Sequence, residues 1–128
     1  MMTMTKLEKS TWQAYFDNVS KILGGKEAEV EISSLNIGNQ IEAEWLPLMG
    51  LVYDPKSDVV EVLMEGLDHL IHKPSEIYID HDAVRLVSLE VIDGDGVRQI
   101  IRLRDPLMLP YSGAMGGAQA SGAGNAPP

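Results

Sequence analysis

Three histidines, His69, His72 and His81, stand close in sequence to Asp68, Glu76, Asp80 and Asp82. Imidazole and carboxylate are the ligand types that hold Zn²⁺, and on a helical turn His69 and His72 would share a face that a carboxylate could complete. The pattern contains no HExxH and no EF-hand loop. Leu67, Leu70 and Ile71 claim the buried face of such a turn, so solvated or capping histidines are the expected role. A metal-dependent or small-molecule enzyme built on His69, His72 and His81 is the alternative reading. Asp93-Gly94-Asp95-Gly96 begins like a calcium loop, but the twelfth position counted from Asp93 holds Arg104 where a bidentate acid is needed. It reads as a hairpin turn. Glu29 and Glu31, or Glu42 and Glu44, are acids two apart, which a strand places on one wet face rather than in a cleft. No GxSxG elbow, no phosphate-binding glycine loop and no cysteine is present. No catalytic residue, cofactor or metal is therefore expected.

The charge narrows the partners. The chain has 128 residues, ten Lys and Arg against nineteen Asp and Glu, and a formal charge of −9. Thirteen of those acids lie between Glu27 and Asp82 with only two lysines, a net −11. Polyanions are bound by neutralising phosphates with cations, so nucleic acid and anionic membrane surfaces are disfavoured. A nucleic-acid face would have to be built from Arg85, Arg98, Arg102 and Arg104 against that total. No apolar run approaches the length of a membrane helix, and MMTMTKLEKS lacks the apolar core of a signal peptide. A cytoplasmic location is expected.

The elements that must position these groups follow from periodicity. Trp12, Tyr15, Phe16, Val19, Ile22 and Leu23 draw one apolar stripe at helical spacing, with Ser10 and Gln13 at capping-box distance and Gly24-Gly25 at the far end. Residues 27–32 and 40–45 alternate polar and apolar, as strands do. The run Trp45, Leu46, Leu48, Met49 and Leu51 shows no clean alternation, so it needs cover on both faces, from the helix or from another chain. Asp54-Pro55-Lys56-Ser57-Asp58 is turn chemistry before a returning strand, 59–64. Leu67, Leu70 and Ile71 predict a short helical turn near 67–73, ended by Pro74. Ile77 and Ile79 alternate with polar neighbours, and strands near 84–92 and 97–103 flank the DGDG turn. Arg98, Arg102 and Arg104 share one side of the last strand, which suits a place beside the acidic strand 27–31 or 40–44.

The fold expected is α+β: the N-terminal amphipathic helix packed on a strongly twisted, mostly antiparallel sheet or small open barrel of SH3-like or Sm-like element order. Its parts are a flexible N-terminus at 1–9, one globular domain at 10–110, and a disordered Gly/Ala/Ser/Pro-rich tail at 111–128.

The strings GNQIEAEWLPL, YDP, EGLDHLI, SLEVIDGDG and IIRLRDPLMLP together resemble a family of small bacterial proteins recorded only as a domain of unknown function. The likeness runs from the helix near Trp12 to Pro110 and implies no activity, cofactor or site residue. The function expected is a non-enzymatic binding or assembly module of the bacterial cytoplasm, with Trp45, Leu46, Leu48, Met49 and Leu51 and the edge strands as its surface. Self-association is its simplest form. The partner is then another protein or a second copy, not nucleic acid and not a membrane.

Overall fold

Alternation of period two occupies most of the chain, and every run of it finds an antiparallel neighbour. The computed structural model describes residues 3–36, 38–82 and 85–106. Strand β1 (Thr3–Lys6) leads through a 3₁₀ turn (Lys9–Thr11) into helix α1 (Trp12–Ser20). Seven strands follow: β2 (Glu27–Ser34), β3 (Gly38–Asp54), β4 (Val59–Met64), β5 (Leu67–His72), β6 (Pro74–His81), β7 (Leu86–Asp93) and β8 (Arg98–Arg104). They form one sheet in the order β1-β6-β7-β8-β2-β3-β4-β5. Among the described residues no helix is long and apolar enough to cross a membrane.

This architecture corrects the α+β expectation. Of the described residues 63% are strand and 12% helix, arranged as an open eight-stranded antiparallel sheet. The helix is an accessory to that sheet, not a layer. Residues 67–73 are not a helical turn but β5, in unbroken register with β4 from Met64↔Leu67 to Val59↔His72. The two-residue turn Glu65-Gly66, with Gly66 at φ 81°, folds β5 straight back on β4, and Leu67, His69 and Ile71 then face inward at strand spacing. Thr3–Lys6, inside the stretch expected to be flexible, pairs with β6 from Thr3↔His81 to Lys6↔Tyr78. The tail at 111–128 lies outside the described residues.

Strand β3 joins the two parts of the sheet. Its first half pairs with β2 and its second, from Leu48, with β4. Against β2 it carries extra residues on either side of the Val30↔Ala43 pair, and Trp45 takes a φ of 53° there. A bulged strand bends, and Pro47, with no N–H to donate, marks the point where pairing with β2 ends. Leaving β2 costs β3 backbone partners. Ser20, at the end of α1, supplies them: its hydroxyl donates to Leu51 O at 2.7 Å and accepts from Leu51 N at 2.8 Å. One side chain thus satisfies both main-chain groups of a fully buried residue.

The helix is shorter than its stripe. Trp12, Phe16, Val19 and Leu23 enter the core, whereas Ile22 is 70% exposed beyond the helix end. Ser10 lies in the 3₁₀ turn, and the Thr11 hydroxyl donates to Glu8 O, so the capping box does not form. Trp12 is held by its indole N–H donating to Leu7 O at 3.1 Å and by an edge contact with Tyr53 at 5.2 Å between ring centres. The Tyr53 hydroxyl donates to Asp58 Oδ1 at 2.7 Å. Burial first, and then the Asp58 carboxylate, push this phenol up to about 12.

Two outcomes follow from this packing. Ser20→Ala leaves the Leu51 N–H and C=O unpartnered and lowers unfolding free energy by about 1–3 kcal/mol, read as a shifted denaturant midpoint at constant slope. The raised Tyr53 proton gives stability that is fully present below the ordinary tyrosine value of 10.0 and is lost as pH rises toward about 12. Melting curves of the Tyr53→Phe variant should therefore fall less steeply across that window than those of the parent.

Candidate functional site

The arginines of β8 are paired with acids of the neighbouring strands. Strand β8 lies against β2, with Glu27 opposite Arg104 and Glu29 opposite Arg102. The Arg102 guanidinium donates to Glu31 Oε1 at 2.6 Å and Glu29 Oε1 at 3.1 Å. The bond to Glu31, ahead of that to Glu29, raises its pKa further. Arg104 donates to Glu27 at 2.9 Å and lies 4.0 Å over the Trp45 ring. Arg98 donates to Glu90, and Arg85 is 3.4 Å from Asp82. A face made from these four arginines is thus interleaved with acids. An open groove of about 250 Å³ runs past Lys26, Arg85, Leu86, Leu103, Arg104 and Asp105, and there too Lys26 is bound, at 2.5 Å, to Asp105.

The histidines are not brought together. On strand β5, His69 and His72 are three apart and point to opposite faces, the reverse of what a helical turn would do. His69 turns inward and its Nε2 meets Gln99 Oε1 at 2.6 Å, while Gln99 donates to Asp93 Oδ2 at 3.2 Å. Gln99 is only 7% exposed, so this chain of bonds satisfies a polar group inside the core. His72 is exposed, and His81, on β6, bonds to the Thr5 hydroxyl at 3.1 Å. No cluster of three His, Asp or Glu fit for a metal occurs among the described residues. The Asp93 carboxylate instead accepts from Asp95 N and Val97 N, which fixes the DGDG hairpin turn.

The run expected as an interaction surface is divided. Leu48 and Leu51 are core, Trp45 and Leu46 are half-buried, and Met49 alone among the five is exposed, at 72%. The positive φ of Trp45 and the register shift at Gly50 break the alternation, which is why the sequence reads as apolar on both faces.

Among the described residues three strand edges lack a neighbour: β1, β5, and the first half of β3, because β4 begins pairing only at Leu48. Sequence reading placed edges only in general. Nothing in TMTK marks β1, and the spacing of Leu67, Leu70 and Ile71 concealed β5. The β3 edge had one signal, Pro47 and Gly50 inside a long apolar run. Arg102→Glu would set three acids together and lower stability by about 1 kcal/mol, checked by chemical denaturation, while Arg102→Lys should show only part of that loss.

No solved structure matches this chain. A protein of Aquifex aeolicus (strain VF5), titled "Uncharacterized protein", is 42% identical over 110 residues, spanning 85% of this chain and 99% of that relative. Residues 3–112 match the model described as "Family of unknown function (DUF5335)", and the chain belongs to this family.

Proposed function

We propose that the protein is a non-enzymatic assembly module of the bacterial cytoplasm that joins its partners through a sheet edge, and that a second copy of the chain is its simplest partner. The carrying observation is the contrast between side chains and main chain. The arginines and the inward histidine are engaged within the chain, whereas among the described residues three strand edges are left without a neighbour. An unpaired row of N–H and C=O groups is a template for another strand. Two copies related by a two-fold axis need no further component, since each presents the same edge.

Sedimentation equilibrium tests this reading. The weight-average mass should rise from that of one chain toward that of two over about a hundred-fold increase in concentration. A mass of one chain at every concentration would overturn it.

A further inference from the structure

We infer that the second copy adds to β5, antiparallel, across a two-fold axis that passes through Leu70. This inference rests on the assembly reading above and specifies its edge and register.

The three open edges are unequal. The first half of β3 carries Glu42 and Glu44, both exposed and absent from every ion pair among the described residues. It also carries the extra residues that break its register against β2. A second copy laid there would meet acids of its own sign on an irregular strand. Strand β1 offers only four residues. Strand β5 offers six, paired with β4 without a break and with no proline among them. Its exposed side chains are Asp68, Leu70 and His72.

That set is self-complementary. Where two identical antiparallel strands share an axis through one residue, each residue faces the one equally far on the other side of it. With the axis at Leu70, itself 45% exposed, the two leucines meet, and Asp68 faces His72 of the partner subunit. The pair occurs twice, carboxylate acceptor against imidazole N–H donor. Moving the axis one residue toward the N-terminus sets Asp68 against Leu70 of the partner subunit. Moving it the other way sets Asp68 against Pro74 of the partner subunit, which has no N–H to give the ladder. Only the axis at Leu70 joins an apolar centre to matched polar flanks.

The chain contains no cysteine, so a single introduced thiol reports on one position. Leu70→Cys treated with a short bismaleimide should yield covalent dimers, while Leu35→Cys and Met49→Cys, at exposed positions away from β5, should not. Asp68→His should abolish the dimer seen by sedimentation, and adding His72→Asp to it should restore the dimer. Cross-linking at Leu35→Cys with none at Leu70→Cys would overturn this register and leave edge assembly standing. An Asp68→His variant that dimerises like the parent would overturn it as well. A parent chain that is monomeric throughout would remove the assembly reading itself.

Discussion

Buried main-chain polar groups must find partners, and in this protein that constraint bears hardest on β3. The strand runs through 17 residues and changes neighbours midway, from β2 to β4. At the change, one row of N–H and C=O groups turns into the interior with no strand beside it. A hydroxyl at the end of α1 fills the gap at Leu51. The helix thereby has a polar task as well as an apolar one. Its stripe of Trp12, Phe16 and Val19 fills volume, and Ser20 completes a hydrogen-bond ladder that the sheet leaves open.

The outer face of the sheet follows a related logic with charge. Strand β2 alternates Glu27, Glu29 and Glu31 on one face, and β8 brings Arg102 and Arg104 against them from more than seventy residues away. Pairs of this kind contribute modestly to stability because they remain partly solvated. Their larger effect is on register, since a slip of one residue would send every arginine to the core side. Among the described residues Glu42 and Glu44 meet no cation, whereas acids such as Glu76, Asp58 and Asp105 pair with lysines.

Much of this was legible in the sequence, and the exceptions have physical causes. The helix, the alternating strands and the DGDG hairpin have local signals, periodicity for the first two and turn chemistry for the third, and each forms where its signal lies, although the helix stops short of its stripe. Parity places the arginines of β8 on one face and left two acidic strands, 27–31 or 40–44, as its neighbour; the first of them, β2, is the one that pairs. The α+β expectation failed at two places. Leu67 and Ile71 fit both a helical and a strand spacing, and the Glu65-Gly66 turn, not the apolar pattern, decides between them. In β1 the residues Thr-Met-Thr-Lys have no pattern of their own, and pairing with β6 alone makes them a strand. Trp45 at φ 53° and the two-way bond of Ser20 are tertiary outcomes with no local signature. The alternative metal reading at His69 and His72 needed a helical turn to align them, and on β5 they point to opposite faces.

The pairing of β2 with β8 also sets an order of events in synthesis. Strand β2 emerges early and gains β3 at once through a short hairpin, yet its other side waits for the last strand to be made. Until then three glutamates line its exposed face, and like charges discourage neighbouring nascent chains from pairing there. The acids that later grip arginine thus first serve as a guard on an unfinished sheet, and joining the two strands closes a long loop whose entropic cost comes before the contacts that offset it.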